Sequence, residues 1–169
     1  GLDLRHTASP AEFARRIGEA AARLPTGSWL HRGSWDHEVW PGAPLPRRDW
    51  IDDATREVPV FLDRLDGHMG LANSRALALA GITKETPDPP GGEIVRDAVT
   101  GEPTGILRDA AMSLIASRIP AASDAEQDEA LRAALGHAAR AGVTSVQDIT
   151  QWSDLPAFER ARARGELTV

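Results

Sequence analysis

Helix signals and strand signals alternate along this chain of 169 residues, and that alternation limits the fold more than any other feature. Ser9-Pro10-Ala11-Glu12 combines an N-cap, a proline at the first helical position and a capping-box glutamate. Phe13, Ile17, Ala20 or Ala21 and Leu24 follow at helical spacing, and Pro25 closes the segment. Ser28 to Trp35 reads as a strand, with Trp29, His31, Gly33 and Trp35 on one face and Leu30 on the other. A proline-rich loop spans 40–46, a short helix is expected around 47–56, and Pro59 opens the strong strand "VFLDRL". Asn73 is placed to cap a helix from Ser74 to Ala80, with Gly81 as its stop.

Beyond the stiff loop "TPDPPGG", Glu93–Arg96 and Thr104–Leu107 read as a hairpin around "DAVTGEP", and a helix is expected from about Asp109 to Ser117. Ser123 to Glu126 forms a second capping box ahead of a stripe at Leu131, Leu135 and Ala138. "VTSVQDI" then reads as an apolar strand, Asp154 caps a helix to Arg164, and "ELTV" ends the chain as a strand. Such alternation is the pattern of a parallel α/β sheet or barrel.

Composition excludes several classes. The absence of cysteine removes disulfides, zinc ribbons and thiol nucleophiles. A net charge of −6 argues against a nucleic-acid partner. No apolar run approaches the ~18 residues of a membrane span, and the first ten residues lack the pattern of a signal peptide, so a soluble, cytoplasmic protein is the expectation. GxSxG, GxGxxG, the phosphate-binding glycine loop, HxH and HExxH are all missing.

A few residues carry chemistry. His68, in Asp66-Gly67-His68 after a buried-looking strand, at the carboxyl edge if the sheet is of the α/β kind, is placed to orient a substrate or transfer a proton, or else simply to ride an exposed turn. His31 and His37 share the Trp35 face in this reading, as an aromatic cleft or as unrelated surface residues. Six residues of strand set them roughly 20 Å apart, too far for one metal. Asp109 and Asp148 each end an expected strand, where barrel sites gather, and either is equally a helix cap. The arginines at 160, 162 and 164 read as the outer face of a helix.

Five phrases occur in fixed order: "GSWLHRGSWD", "LDRLDGHMGLANSRALALAGI", "TPDPPGGEIVRD", "GEPTGILRDAA" and "AGVTSVQD". Together they resemble the amidohydrolase superfamily, in the family-3 branch that includes N-substituted formamide deformylase-like enzymes. The resemblance implies a mixed α/β fold: an α+β inserted domain plus βα units of an incomplete (β/α)8 barrel. Residues 1–24 would be a barrel-derived helix, 25–108 the inserted domain and 109–169 barrel units.

It also implies hydrolysis of amide-type C–N bonds in small molecules by water activated on a divalent metal, zinc by preference. The family's HxH would precede Gly1, and its later histidines and aspartate would follow Val169. This chain is then an internal piece that is inactive and metal-free alone. Asp66, His68, Trp35 and Asp148 are its substrate-pocket candidates, and no catalytic residue is assigned. Asp109 is a candidate metal ligand, standing where the family pattern has Glu and so with a shorter reach. Unpaired strand edges and helix faces are expected to drive a homodimer. The competing reading is a free-standing α+β ligand-binding module without catalysis, its Trp-rich stretch lining a cleft.

Overall fold

A computed structural model describes residues 2–148 and 152–169. The chain divides into two compact units, residues 1–119 and 120–169.

Period-two alternation builds the first unit. Its sheet runs β1 (Leu30–His31), β2 (Val60–Asp63), β3 (Met69–Ala72), β4 (Gly92–Arg96) and β5 (Pro103–Asp109), in the spatial order β1-β2-β3-β5-β4. Only β1 and β2 are parallel, and the other pairings are antiparallel. Val60 and Leu62 of β2, Leu71 of β3 and Ile106 of β5 join one core cluster with Leu4, Phe13, Ile17, Trp35, Trp40 and Ile51. Their neighbours Phe61, Ala72 and Leu107 belong to a second cluster with Leu77, Ile94 and Ile115. Successive strand residues point to opposite faces, so the sheet is apolar on both.

Helices supply the covering layers. Helix α1 (Pro10–Ala21) starts as expected: the Ser9 side chain accepts from the Glu12 N–H, while the Glu12 carboxylate turns back to the Ala8 N–H at 2.8 Å. Phe13, Ile17 and Ala21 are its buried stripe. Helix α2 (Ser74–Ala80) is capped by Asn73 and stopped by Gly81 at φ +68°, and α3 (Met112–Ala116) follows β5. The segment expected as a helix around 47–56 is two 3-10 turns, Arg48–Trp50 and Asp53–Thr55.

Asn73 does more than cap. Its Oδ1 accepts from Val60 N at 3.0 Å and Ala76 N at 2.9 Å, and its Nδ2 donates to Thr55 Oγ1 and Val58 O, both at 2.9 Å. One buried amide therefore ties β2, the second 3-10 turn and α2 together.

In the second unit, α4 (Asp124–Arg140) begins with the full Ser123/Glu126 capping box and α5 (Leu155–Ala163) carries Pro156 in its first turn. Arg160 and Arg164, read from sequence as an outer helix face, both reach the Asp128 carboxylate of α4, at 2.8 and 2.9 Å.

Three expectations are corrected. The strand expected over 28–35 shrinks to Leu30–His31, because Arg32 and Ser34 take left-handed backbone (φ +64° and +47°) that breaks an extended run. The common face therefore never forms: Gly33 and Trp35 are buried while His31 is exposed. "VTSVQDI" and "ELTV" are not strands over 143–148 and 166–169, and Ile149 lies outside the described residues. β-forming side chains make a strand only against a partner, and the described residues of this unit offer none. The third correction concerns Asp66-Gly67-His68. It is not at the carboxyl edge of a parallel sheet but in the tight connection of the antiparallel β2–β3 hairpin.

Candidate functional site

The hairpin connection brings together two residues that sequence reading had kept apart. Arg64 N donates to Met69 O at 2.7 Å and Gly67 N to Arg64 O at 2.9 Å. Gly67 sits at φ +75°, the left-handed position that lets the chain reverse within this turn. The Asp66 carboxylate accepts the His68 backbone N–H at 3.1 Å and also pairs with the Arg64 guanidinium.

Across the β3–β5 pairing, Met69 lies opposite Arg108, which brings His68 beside Asp109. Asp109 N donates to His68 O at 3.0 Å, and the His68 Nδ1 lies 2.9 Å from Asp109 Oδ1. Against an ionised carboxylate this contact requires the proton on Nδ1, which leaves Nε2 with a free lone pair in the neutral ring.

Both side chains face solvent, His68 at 75% and Asp109 at 55% relative exposure, so the pair is open to a reacting group. Bonding to the Asp109 carboxylate, helped by the charges of Asp109 and Asp66, raises the His68 pKa above its ordinary value of 6.5. For Asp66, burial pushes upward, but the His68 N–H and the Arg64 guanidinium outweigh it and hold the carboxyl below its ordinary range. Asp109 itself adopts φ +46° where β5 turns toward α3, a conformation that Asp tolerates better than most residues and one that clusters at functional sites.

The remaining candidates stand elsewhere. Trp35 is wholly buried, with its Nε1 donating to Leu62 O at 2.7 Å and its ring edge-on to Phe13 at 6.2 Å, so it is a pillar of the core. His37 packs edge-on against Trp35 at 5.8 Å, and burial, then Arg64, lowers its pKa. Asp148 is exposed in the second unit. Two depressions of about 360 and 320 Å³ lie around Asp52 and Ser74, with neither His68 nor Asp109 in their walls.

Sequence reading missed Arg64. The signal was the charged "DRLD" run closing an otherwise apolar strand, which demands partners if the strand is buried. Among the described residues, no three His, Asp or Glu side chains converge to hold a metal ion. No helix there is long and apolar enough to cross a membrane.

A sheet buried on both faces, with a carboxylate–imidazole pair exposed at its end, is a scaffold that presents polar chemistry on rigid elements. The amidohydrolase family profile matches residues 1–169. The chain is 42% identical over 151 residues to Protein LONG AFTER FAR-RED 3 of Arabidopsis thaliana, covering 89% of this chain and 26% of that protein. It is 34% identical over 163 residues to the N-substituted formamide deformylase of Arthrobacter pascens, covering 92% and 30%. A metal-dependent hydrolase from Pyrococcus horikoshii OT3 shares the fold with a TM-score of 0.64 at 21% identity, over 99% of this chain and 31% of that one. The chain belongs to the amidohydrolase family. It spans between a quarter and a third of the length of these relatives.

Proposed function

We propose that this chain is the part of a metal-dependent amidohydrolase that lines the substrate pocket, in an enzyme that hydrolyses amide-type C–N bonds of small molecules. The observation that carries the reading is the 2.9 Å contact of His68 with Asp109, 41 positions apart, in a chain matched throughout by the family profile. In this reading Asp66 shapes the turn, Asp109 fixes the His68 ring, and the bare Nε2 of His68 accepts a proton from, or a hydrogen bond of, the substrate.

A divalent metal, zinc by preference, does not fit the chain by itself. A catalytic zinc takes three protein ligands, whereas this site offers two donor side chains, His68 and Asp109, already bonded to each other. Most of the ligands then come from outside the described residues, Asp109 stays a candidate for one of them, and the chain alone is inactive.

Elemental analysis of the purified chain tests that incompleteness: one tightly held zinc per chain overturns it. In a longer protein containing this segment, a chelator is expected to abolish turnover of N-acyl or formamide substrates. His68→Gln is expected to lower kcat there by about 10²-fold, the usual contribution of a general acid or base. Unchanged turnover in that variant removes His68 from the reaction.

A further inference from the structure

The "WDHE" stretch at 35–38 lies beside the hairpin without a part in the site so far. Trp35 pairs with Arg64 as an isolated parallel bridge, with Leu65 N donating to Trp35 O at 2.9 Å. This sets the Arg64 side chain, only 11% exposed, between two loops. One end of its guanidinium meets Asp36 Oδ1 at 3.3 Å and Glu38 Oε2 at 3.0 Å, and the other meets Asp66 Oδ2. Asp36 is itself largely buried at 18% exposure, whereas Glu38 is 69% exposed, so Asp36 is the firm anchor. The line of contacts then continues from Asp66 to the His68 N–H and from the His68 ring to Asp109.

We propose that Arg64 is a positioning residue, anchored by Asp36 and gripping Asp66, that holds the Gly67-His68 turn where the His68 ring meets Asp109 and keeps its Nδ1–H form. The planar fork suits the task, because it grips two carboxylates in fixed directions as a lysine ammonium does not. A stability role alone fits poorly. The Arg64 Nε is buried without a hydrogen-bond partner, and a buried guanidinium left partly unsatisfied is a costly way to fill space that an apolar side chain would fill better. Geometry is what the arginine supplies here.

The proposal rests on His68 and Asp109 as the working pair, but its test needs no turnover. Ring carbon and nitrogen shifts of a histidine-labelled chain, recorded above the His68 pKa, report its neutral tautomer, and the native chain is expected to show mainly Nδ1–H. Arg64→Met is expected to lower the Nδ1–H to Nε2–H ratio about fivefold, the worth of one ordinary hydrogen bond, with the β3 and β5 amides still dispersed as in the native chain. Arg64→Lys, which keeps the charge and loses the fork, is expected to fall between the two. Should Arg64→Met fail to fold, Asp36→Asn decides, since it leaves Arg64 in place and loosens only the anchor; there the ratio is expected to fall about twofold.

A native ratio favouring Nε2–H overturns the proposal. So does an unchanged ratio in folded Arg64→Met, or in Asp36→Asn where that variant decides, and so does an Arg64→Lys chain indistinguishable from native. An inert His68→Gln in the longer enzyme would instead remove the functional reading and leave the anchoring intact.

Discussion

Residues 1–119 and 120–169 both carry apolar residues at helical spacing and strand-like apolar runs, and dispose of them differently. In the first unit, strands, helices and loop tryptophans close two core clusters, and Trp35, Phe13, Leu62, Leu71 and Ile106 lose essentially all contact with water. In the second, the described buried hydrophobics are Leu135, Ala157 and Ala161, while Val143, Val146, Trp152 and Leu155 remain exposed. Arg160 of α5 and Arg164 at its end both pair with Asp128 of α4. Periodicity states which face a helix would bury; it does not supply the surface that buries it. Hydrogen exchange should separate the two units most widely. Amides of β3 and β5 are expected to be protected about 10³-fold or more beyond those of α4, since the core opens only globally and an under-packed helix pair opens locally. Equal protection in both would break the comparison.

Asn73 and Leu135 sharpen it. Removing the Asn73 amide leaves Val60 N and Ala76 N without their acceptor inside the first unit, so Asn73→Ala is expected to cost about 3–5 kcal/mol in chemical denaturation. Leu135→Ala removes the one large buried side chain of α4 and is expected to melt the α4 helix signal while the unfolding midpoint of the first unit stays within error. A midpoint that moved with Leu135 would show the units to be one cooperative body.

Gly105 makes the same point through the backbone. It lies at φ +102° in the middle of β5, and a Cβ there would sit 2.5 Å from Ala72 O and 2.9 Å from the Arg48 Cβ. Gly105→Ala is expected to destabilise the first unit by about 2–3 kcal/mol, from strain and forced displacement together. Gly136, in α4, meets only the tip of Arg140 at 3.5 Å, so Gly136→Ala is expected to strengthen its helix by up to about 1 kcal/mol. Opposite signs in thermal melts of the two variants would confirm that one unit is tightly packed and the other is not.

These contrasts explain what the sequence disclosed. Helix starts at Ser9, Asn73 and Ser123 were legible because capping is local: three or four residues contain the whole interaction. The hairpin at 92–109 was legible for the same reason. The short β3 strand was not, since "MGLA" has no alternation of its own and exists through its pairing with β2 and β5. Asp66, His68 and Asp109 stood out by type and position, but their meeting depends on strand register, which a single sequence does not show. Trp35 stood out too. Its burial follows from the bends at Arg32 and Ser34, two left-handed residues that nothing in "HRGSW" announces.

The smallest effect concerns pH, and it tests whether the exposed pair belongs with the ordered unit. The Asp109 carboxylate raises the folded-state pKa of His68 above 6.5, so the folded form binds that proton more tightly than the unfolded form. The resulting stabilisation is fully present below the ordinary value of 6.5 and is lost as pH rises through the raised value. Both side chains are well solvated, which screens the contact and keeps the effect small. Melting curves of native and His68→Gln chains are therefore expected to differ slightly in favour of the native chain on the acid side of 6.5 and to converge on the alkaline side. Asp109→Asn should reproduce the loss, because a neutral amide still meets the ring but no longer favours its charged form. A native chain whose advantage grew with rising pH would mean that His68 and Asp109 do not meet, and the imidazole would then ride the hairpin as an ordinary surface residue.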